Sequence, residues 1–399
     1  ICGIHGKRSY GYHHAACFAM GYLIYVRLMK YYLISGEASG DLHGSNLMAA
    51  LKKIDTNAEF RFWGGDLMVE QGGDLVKHFR ELAFMGFVEV LLNIRTILKN
   101  LKFCKRDILA YNPDALILID YPGFNFRIAE FAKKNQIAVH YYISPQVWAW
   151  KQNRVEKIKR DVDRLYCILP FEKEFYAERG VEVDFVGHPL IDAVENSQNK
   201  TDFRKSNGLE SKPIIALLPG SRKQEISKML SIMLTMKNHY SEHQFVIAAA
   251  PSQDESFYRN LIGDDAKIIH GQTYDLLKSA DAALVTSGTA TLEAALHNVP
   301  EVVCYKTSWI SYQIAKRLVH VSYISLVNLI MEEEVVKELI QSELKESKLK
   351  KELDFILFDE AKNEKIKQDY LKLKTKLGGA GASERTAALI FNSFQNNVP

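Results

Sequence analysis

Apolar residues in this chain gather in short runs, and after most of them the apolar positions recur every three or four residues. That alternation predicts strands buried in a parallel sheet with amphipathic helices on its faces. In the first half it places strands at 31–34, 60–63, 115–119, 138–142, 164–168 and 183–185. Residues 195–212, dominated by Asn, Gln, Lys and Ser, read as a linker. The rhythm resumes with strands at 214–218, 245–249, 267–269, 282–285 and 301–304. Past Met331 the pattern turns charged and helical from Glu332 through Lys376, until Gly378, Gly379 and Gly381 break it. Ser383 to Phe394 then predicts a last amphipathic helix, with Ser383 placed to cap it. The expected organisation is an α/β domain at 29–194, the linker, a second α/β domain at 213–360 and a helical tail at 361–399. The tail either caps its own domain or packs back on the first.

Two of the strands open through glycine loops into helices. The first runs into Ser35-Gly36-Glu37-Ala38-Ser39-Gly40-Asp41 and the second, after 214–218, into Pro219-Gly220-Ser221-Arg222. Glycines let backbone N–H groups approach a ligand, and the N-terminus of a following helix favours anions. Neither loop matches the dinucleotide pattern G-x-G-x-x-G or the phosphate loop G-x-x-x-x-G-K-[ST], so those nucleotide readings fall away.

Composition narrows the class. A chain of 399 residues exceeds what one core usually serves, which agrees with two domains. With 51 basic residues against 48 acidic, the net charge of +3 argues against a general nucleic-acid binder. Cys2, Cys17, Cys104, Cys167 and Cys304 are scattered without a C-x-x-C pair, as in a reduced cytosolic protein without structural zinc. Residues 1–28 precede Met29 and the first credible strand, and they are expected to be an extension foreign to the fold. Their apolar stretch from Ala15 to Val26 is shorter than the roughly 20 residues of a membrane span.

In open parallel sheets ligands bind at the carboxyl ends of strands. Asp120 directly follows the strand at 115–119. A carboxylate there is placed to act as general base toward a hydroxyl, or simply to cap the next helix. Ser287, Gly288 and Thr289 open a helix after the strand at 282–285, a cradle for a diphosphate or plain N-capping. Glu293, one turn further on, is placed for ribose hydroxyls, and Arg222 offers a fork of donors to phosphate oxygens unless it is a surface arginine. Asn328 lies in an apolar run and is either a ligand contact or a satisfied core amide. The stretch 84–103 carries Met85, Phe87, Val88, Val90 and Leu91, with Arg95, Lys99, Lys102, Lys105 and Arg106 in and just beyond it. It fits a core-facing helix with solvated lysines, or a surface for acyl chains and anionic lipid.

From Met29 onward the chain resembles the lipid-A-disaccharide synthase family, inverting glycosyltransferases of the two-Rossmann-domain B fold. The resemblance is carried by Ser35–Asp41, Met85-Gly86-Phe87-Val88-Glu89-Val90 and Asp120-Tyr121-Pro122-Gly123-Phe124-Asn125. Most distinctive is Ser144-Pro145-Gln146-Val147-Trp148-Ala149-Trp150. Leu169-Pro170-Phe171-Glu172, Val186-Gly187-His188-Pro189, Leu218–Arg222 and Ser287-Gly288-Thr289-Ala290 complete the match. It implies two Rossmann-like domains facing a central cleft. The implied reaction takes 2,3-diacylglucosamine from its UDP conjugate to 2,3-diacylglucosamine 1-phosphate, without cofactor or metal, by a cytoplasmic protein attached peripherally to the inner membrane. Asp120 matches the family's proposed base. Arg222, Glu293 and Asn328 match positions tied to nucleotide binding or activity, with Ser287, Gly288 and Thr289 on the same donor side. Glu37, Ser39, Asp41 and the apolar residues from Met85 to Leu91 fall to the acceptor and its acyl chains. Another sugar-nucleotide transferase or epimerase of the same fold is the alternative. The family's Ser-Leu-Pro-Asn run reads Ser325-Leu326-Val327-Asn328 here, which bears on the loop that presents Asn328.

Overall fold

The structure, a computed structural model, describes residues 28–82, 94–197, 202–308, 312–313 and 321–395. Its strands are β1 (Lys30–Ile34), β2 (Glu59–Gly64), β3 (Asp74–His78), β4 (Ala115–Ile119), β5 (Ala138–Tyr142), β6 (Arg164–Cys167) and β7 (Asp184–Phe185). After these come β8 (Ile214–Leu218), β9 (Gln244–Ala249), β10 (Lys267–His270), β11 (Ala282–Thr286), β12 (Glu301–Tyr305) and β13 (Lys337–Ile340). The first seven form one sheet in the order β3-β2-β1-β4-β5-β6-β7, and the other six form a second in the order β10-β9-β8-β11-β12-β13. Parallel pairing places Leu33 beside Phe62 on one side and Ile117 on the other; Leu217 likewise lies between Ile247 and Leu284. Strands covered on both faces must be apolar throughout, and all five residues of β4, β8 and β11 are buried. Both sheets are doubly wound and Rossmann-like, and in each the strand order reverses beside the first strand, between β1 and β4 and between β8 and β11.

The chain divides into two compact units. Of the described residues, one unit takes those within 28–142, 160–164 and 387–395, and the other those within 143–159 and 165–386. In the first unit, Phe394 near the end of the last described helix packs on His140 of β5, with ring centres 5.6 Å apart.

Two strands depart from the sequence pattern. β3 is an edge strand with only Leu75 and Val76 as apolar residues, polar enough to look like loop. β13, Lys337-Glu338-Leu339-Ile340, lies inside the stretch that reads as helical; the open edge of β12 offers it a ladder that outweighs helix propensity. Ser383 is not the cap of its helix, which spans Ala382–Gln395. Asp192 takes that task from far upstream, accepting from the N–H groups of Gly381 at 2.6 Å and Ser383 at 3.0 Å.

Candidate functional site

At the reversal of the first sheet, β4 ends in two consecutive left-handed residues, Asp120 (φ 42°) and Tyr121 (φ 49°). For residues with a Cβ this costs roughly 1–2 kcal/mol each and persists only where the surroundings dictate it. Here they do. The Asp120 N–H donates to the Tyr142 carbonyl at 3.1 Å. Its own carbonyl accepts from the Tyr141 hydroxyl at 2.6 Å and from Asn125 Nδ2 at 2.7 Å. Pro122 then starts the helix Pro122–Lys134, its missing N–H costing nothing in the first turn. The turn leaves the Asp120 carboxyl half-buried past the end of the strand. Burial, and after it the Glu37 carboxylate, pushes its pKa up to about 7 against a partial opposing bond from the Tyr121 N–H. A base poised near neutrality is suited to taking a proton from a hydroxyl.

Glu37 stands half-buried at the start of the helix Ala38–Ile54, and Ser39 is exposed in its first turn. Gly36 is required by its neighbour: a Cβ there would lie 2.5 Å from the Tyr121 ring, which stacks on Phe124. Asp41 has a different task. It is buried, and its carboxylate accepts from the N–H groups of Gly65 at 2.7 Å and of Leu67 and Met68 at 3.1 Å each, fixing the start of the helix Asp66–Glu70. Met85, Phe87, Val88, Val90 and Leu91 lie outside the described residues. Of the basic stretch, the helix Ile94–Tyr111 buries Leu101, Cys104 and Ile108 against the core and exposes Ile94, Leu98, Phe103 and Leu109. Beside it a cavity of about 420 Å³ is lined by Lys77, Lys99, Lys102 and Arg106 with Val76 and Phe103.

In the second unit, β8 leads into Gly220, whose φ of 102° demands glycine, and then Arg222. The Arg222 side chain is 65% exposed and holds Glu225 at 3.0 Å. β11 leads into the helix Thr289–Leu296, whose N-cap is Gly288 and whose first turn is capped by no side chain among the described residues. The Ser287 hydroxyl turns away and donates to the Ile324 carbonyl at 2.7 Å. Among the described residues nothing lies within 4 Å of where a Gly288 Cβ would stand, and Gly288 and Thr289 are exposed, which leaves this helix end open on that side. Glu293 is half-buried, and burial pushes its pKa up to about 7 while a hydrogen bond from Tyr274 acts in the opposite direction. Asn328 is buried and fully used. Its Oδ1 accepts from the N–H groups of Val335 and Val336 at 2.9 Å each, and its Nδ2 donates to the Val336 carbonyl at 2.8 Å and Glu338 at 3.0 Å. An amide offers two hydrogens and two lone pairs, so none remains for a ligand. Val327 is the second residue of the helix Leu326–Met331, a position where proline or valine serves alike because the N–H has no helical partner.

The sequence pattern had no means of assigning the contacts made by Glu338, Tyr274, Tyr141 and Asn125. Their roles depend on contacts between distant strands and helices; only Asn125, five residues past Asp120, carried a local signal. Among the described residues no group of three His, Cys, Asp or Glu side chains is disposed to hold a metal ion, and no helix is long and apolar enough to cross a membrane.

Two sheets of this order, each with candidate groups at its reversal point, define the two-Rossmann-domain B fold. The S. aureus MnaA–UDP structure shares the fold with a TM-score of 0.66 at 14% identity, covering 93% of this chain and 98% of its own. Sequence goes further than fold. The family model described as lipid-A-disaccharide synthetase matches residues 31–391. The lipid-A-disaccharide synthase of Syntrophus aciditrophicus is 40% identical over 366 residues, 90% of this chain and 96% of the relative. That of Geobacter sulfurreducens is 38% identical over 374 residues, 92% and 97%. The chain belongs to the lipid-A-disaccharide synthase family and is a glycosyltransferase of lipid A biosynthesis.

Proposed function

We propose that the chain transfers 2,3-diacylglucosamine from its UDP conjugate to the 6-hydroxyl of 2,3-diacylglucosamine 1-phosphate, releasing UDP and the β-1,6-linked disaccharide 1-phosphate. Asp120 accepts the proton of the acceptor hydroxyl as its oxygen bonds to the anomeric carbon. The bond from that carbon to the diphosphate breaks, and its electron pair leaves on UDP with inversion. The open N-terminus of Thr289–Leu296 and Arg222 stabilise the negative charge that develops on the leaving group. Glu293 serves the ribose hydroxyls. Asn328 acts without touching the donor, by holding the segment that precedes it. No aspartate-x-aspartate signature stands among the candidate residues, so the diphosphate charge falls to protein donors. Both substrates are lipids. The exposed apolar and basic face of Ile94–Tyr111 is accordingly the surface we assign to an anionic inner-membrane leaflet.

The observation that carries the reading is the Asp120 turn: two strained residues held by Tyr141, Tyr142 and Asn125 present one carboxyl with a pKa of about 7. In mixed micelles with both substrates, the wild type should form disaccharide and UDP, and Asp120→Asn should lose about 10²–10⁴-fold in kcat. Wild-type activity that survives the substitution would move the base elsewhere. No product at all would sink the reaction.

A further inference from the structure

Glu338 carries none of the roles above, and no motif draws attention to it. It lies on β13, the edge strand of the second sheet, opposite Val303 of β12, and is 8% exposed. Its carboxylate faces donors. It accepts from the Ile324 N–H at 3.0 and 3.2 Å, from the Ser325 N–H at 2.9 Å and from Asn328 Nδ2 at 3.0 Å. The Ser325 hydroxyl accepts from the Asn328 N–H at 3.2 Å, capping the helix Leu326–Met331. The segment 324–328 is therefore tied to β13 at both ends, by Glu338 at the first and by Asn328 at the second. The Ile324 carbonyl is in turn the acceptor for the Ser287 hydroxyl at 2.7 Å.

We propose that Glu338 is a positioning residue for the donor's diphosphate, acting through Ile324 to hold the Ser287 hydroxyl away from the open N-terminus of the helix Thr289–Leu296. The inference rests on the assignment of that helix end to the diphosphate. A serine beside a helix start ordinarily gives its oxygen to the first free N–H groups. Those are the groups that an anion would use. Donation to Ile324 fixes the Ser287 hydroxyl on that carbonyl, so its lone pairs are held off the helix start and do not compete for those N–H groups. The carboxylate at 338 fixes where the Ile324 carbonyl stands, because the N–H of that same residue is bound to it. Glutamine at 338 would turn one acceptor into an amino group facing N–H donors, and the segment would have to shift.

Calorimetric UDP binding to the full chain tests this, with the wild type, Glu338→Gln, Glu338→Asp, Ser287→Ala and the double variant Glu338→Gln/Ser287→Ala. Glu338→Gln should raise the Kd for UDP by roughly tenfold or more, the scale of a displaced charge-assisted network. In turnover the donor KM should rise while the acceptor KM stays. Because the loss runs through a freed Ser287 hydroxyl, removing that hydroxyl should restore affinity, and the double variant should bind UDP more tightly than Glu338→Gln alone. Glu338→Asp, which keeps the charge and shortens the reach, should fall between wild type and Glu338→Gln, and it carries the test if Glu338→Gln does not fold. Wild-type UDP affinity in a folded Glu338 variant, or a double variant that binds UDP no more tightly than Glu338→Gln, would overturn the positioning role while leaving the donor site standing. A wild type that does not bind UDP would overturn both.

Discussion

At the scale of single residues, the first unit keeps the Asp120 carboxyl titrating near neutrality by burying it and by placing a second carboxyl near it. Glu37 is the largest contributor after burial to the raised pKa of Asp120. Replacing it with glutamine removes a like charge, so the Asp120 carboxyl ionises at lower pH. The reaction needs Asp120 deprotonated; its rate in the wild type should climb as pH rises through about 7, and in Glu37→Gln that climb should begin at lower pH. A pH–kcat/KM profile reads this directly, and an unmoved acid limb would free Glu37 of the role. Glu301 presents a different case. It is buried in β12, neither of its carboxyl oxygens finds a hydrogen-bond partner among the described residues, and burial with the nearby Glu338 holds its pKa well above 4.5. The folded state keeps that proton when the unfolded chain has released it. Stability therefore falls as pH rises above 4.5, by up to about 1.4 kcal/mol per pH unit, until the folded-state pKa is reached. Glu301→Gln should flatten that fall and stabilise the protein at pH 8 but not at pH 4, as urea unfolding at the two pH values would show.

At the scale of elements, the loops after β1 and β4 must pass close together for Asp120 to stand where it does. Gly36 allows this by leaving room for the Tyr121 ring. Gly36→Ala drives a methyl into a ring that is stacked on Phe124 and anchored to a strained backbone, so the ring cannot move without Asp120. Stability should drop by about 1–3 kcal/mol, the usual cost of overpacking. The kcat should fall at least about tenfold, because small displacements of a catalytic group are costly, while UDP affinity stays. A variant with kcat within twofold of wild type would show that the contact is dispensable. The positions of β4 and of the helix after β11 were legible in the sequence because buried parallel strands are continuous apolar runs that stop where the chain must leave the sheet. β3 and β13 were not legible, since an edge strand needs little apolar surface and takes its conformation from its neighbour. Nor was the cap of Ala382–Gln395: the signal at Ser383 was local, but Asp192 supplies the oxygens. Asn328 stood out as an amide in an apolar run, and the partners that occupy it are Glu338 of the strand that the pattern hid and Val335 and Val336 just before that strand.

At the scale of the whole molecule, a net charge of +3 conceals a local imbalance. The helix Ile94–Tyr111 carries Arg95, Lys99, Lys102, Lys105 and Arg106 against a single acid, Asp107. Asp107 is already engaged, by Arg61 at 2.7 and 2.9 Å and by the Tyr32 hydroxyl at 2.7 Å. Lys99, Lys102 and Arg106 line the same cavity together with Phe103, and Ile94 and Leu98 are exposed on the same helix. Cations next to exposed apolar side chains are what an anionic bilayer surface attracts and then retains. Each such cation near the surface is worth about 1 kcal/mol, so reversing three of them should weaken binding by more than about a hundredfold. Sedimentation with vesicles provides the measurement. The wild type should pellet with phosphatidylglycerol vesicles at low salt, less so as salt shortens the screening length, and little with phosphatidylcholine alone. The triple variant Lys99→Glu/Lys102→Glu/Arg106→Glu should stay in the supernatant while keeping its UDP affinity. Equal pelleting of the two proteins, or equal binding of the wild type to neutral vesicles, would remove this helix from the membrane surface and leave its cations to some other anion.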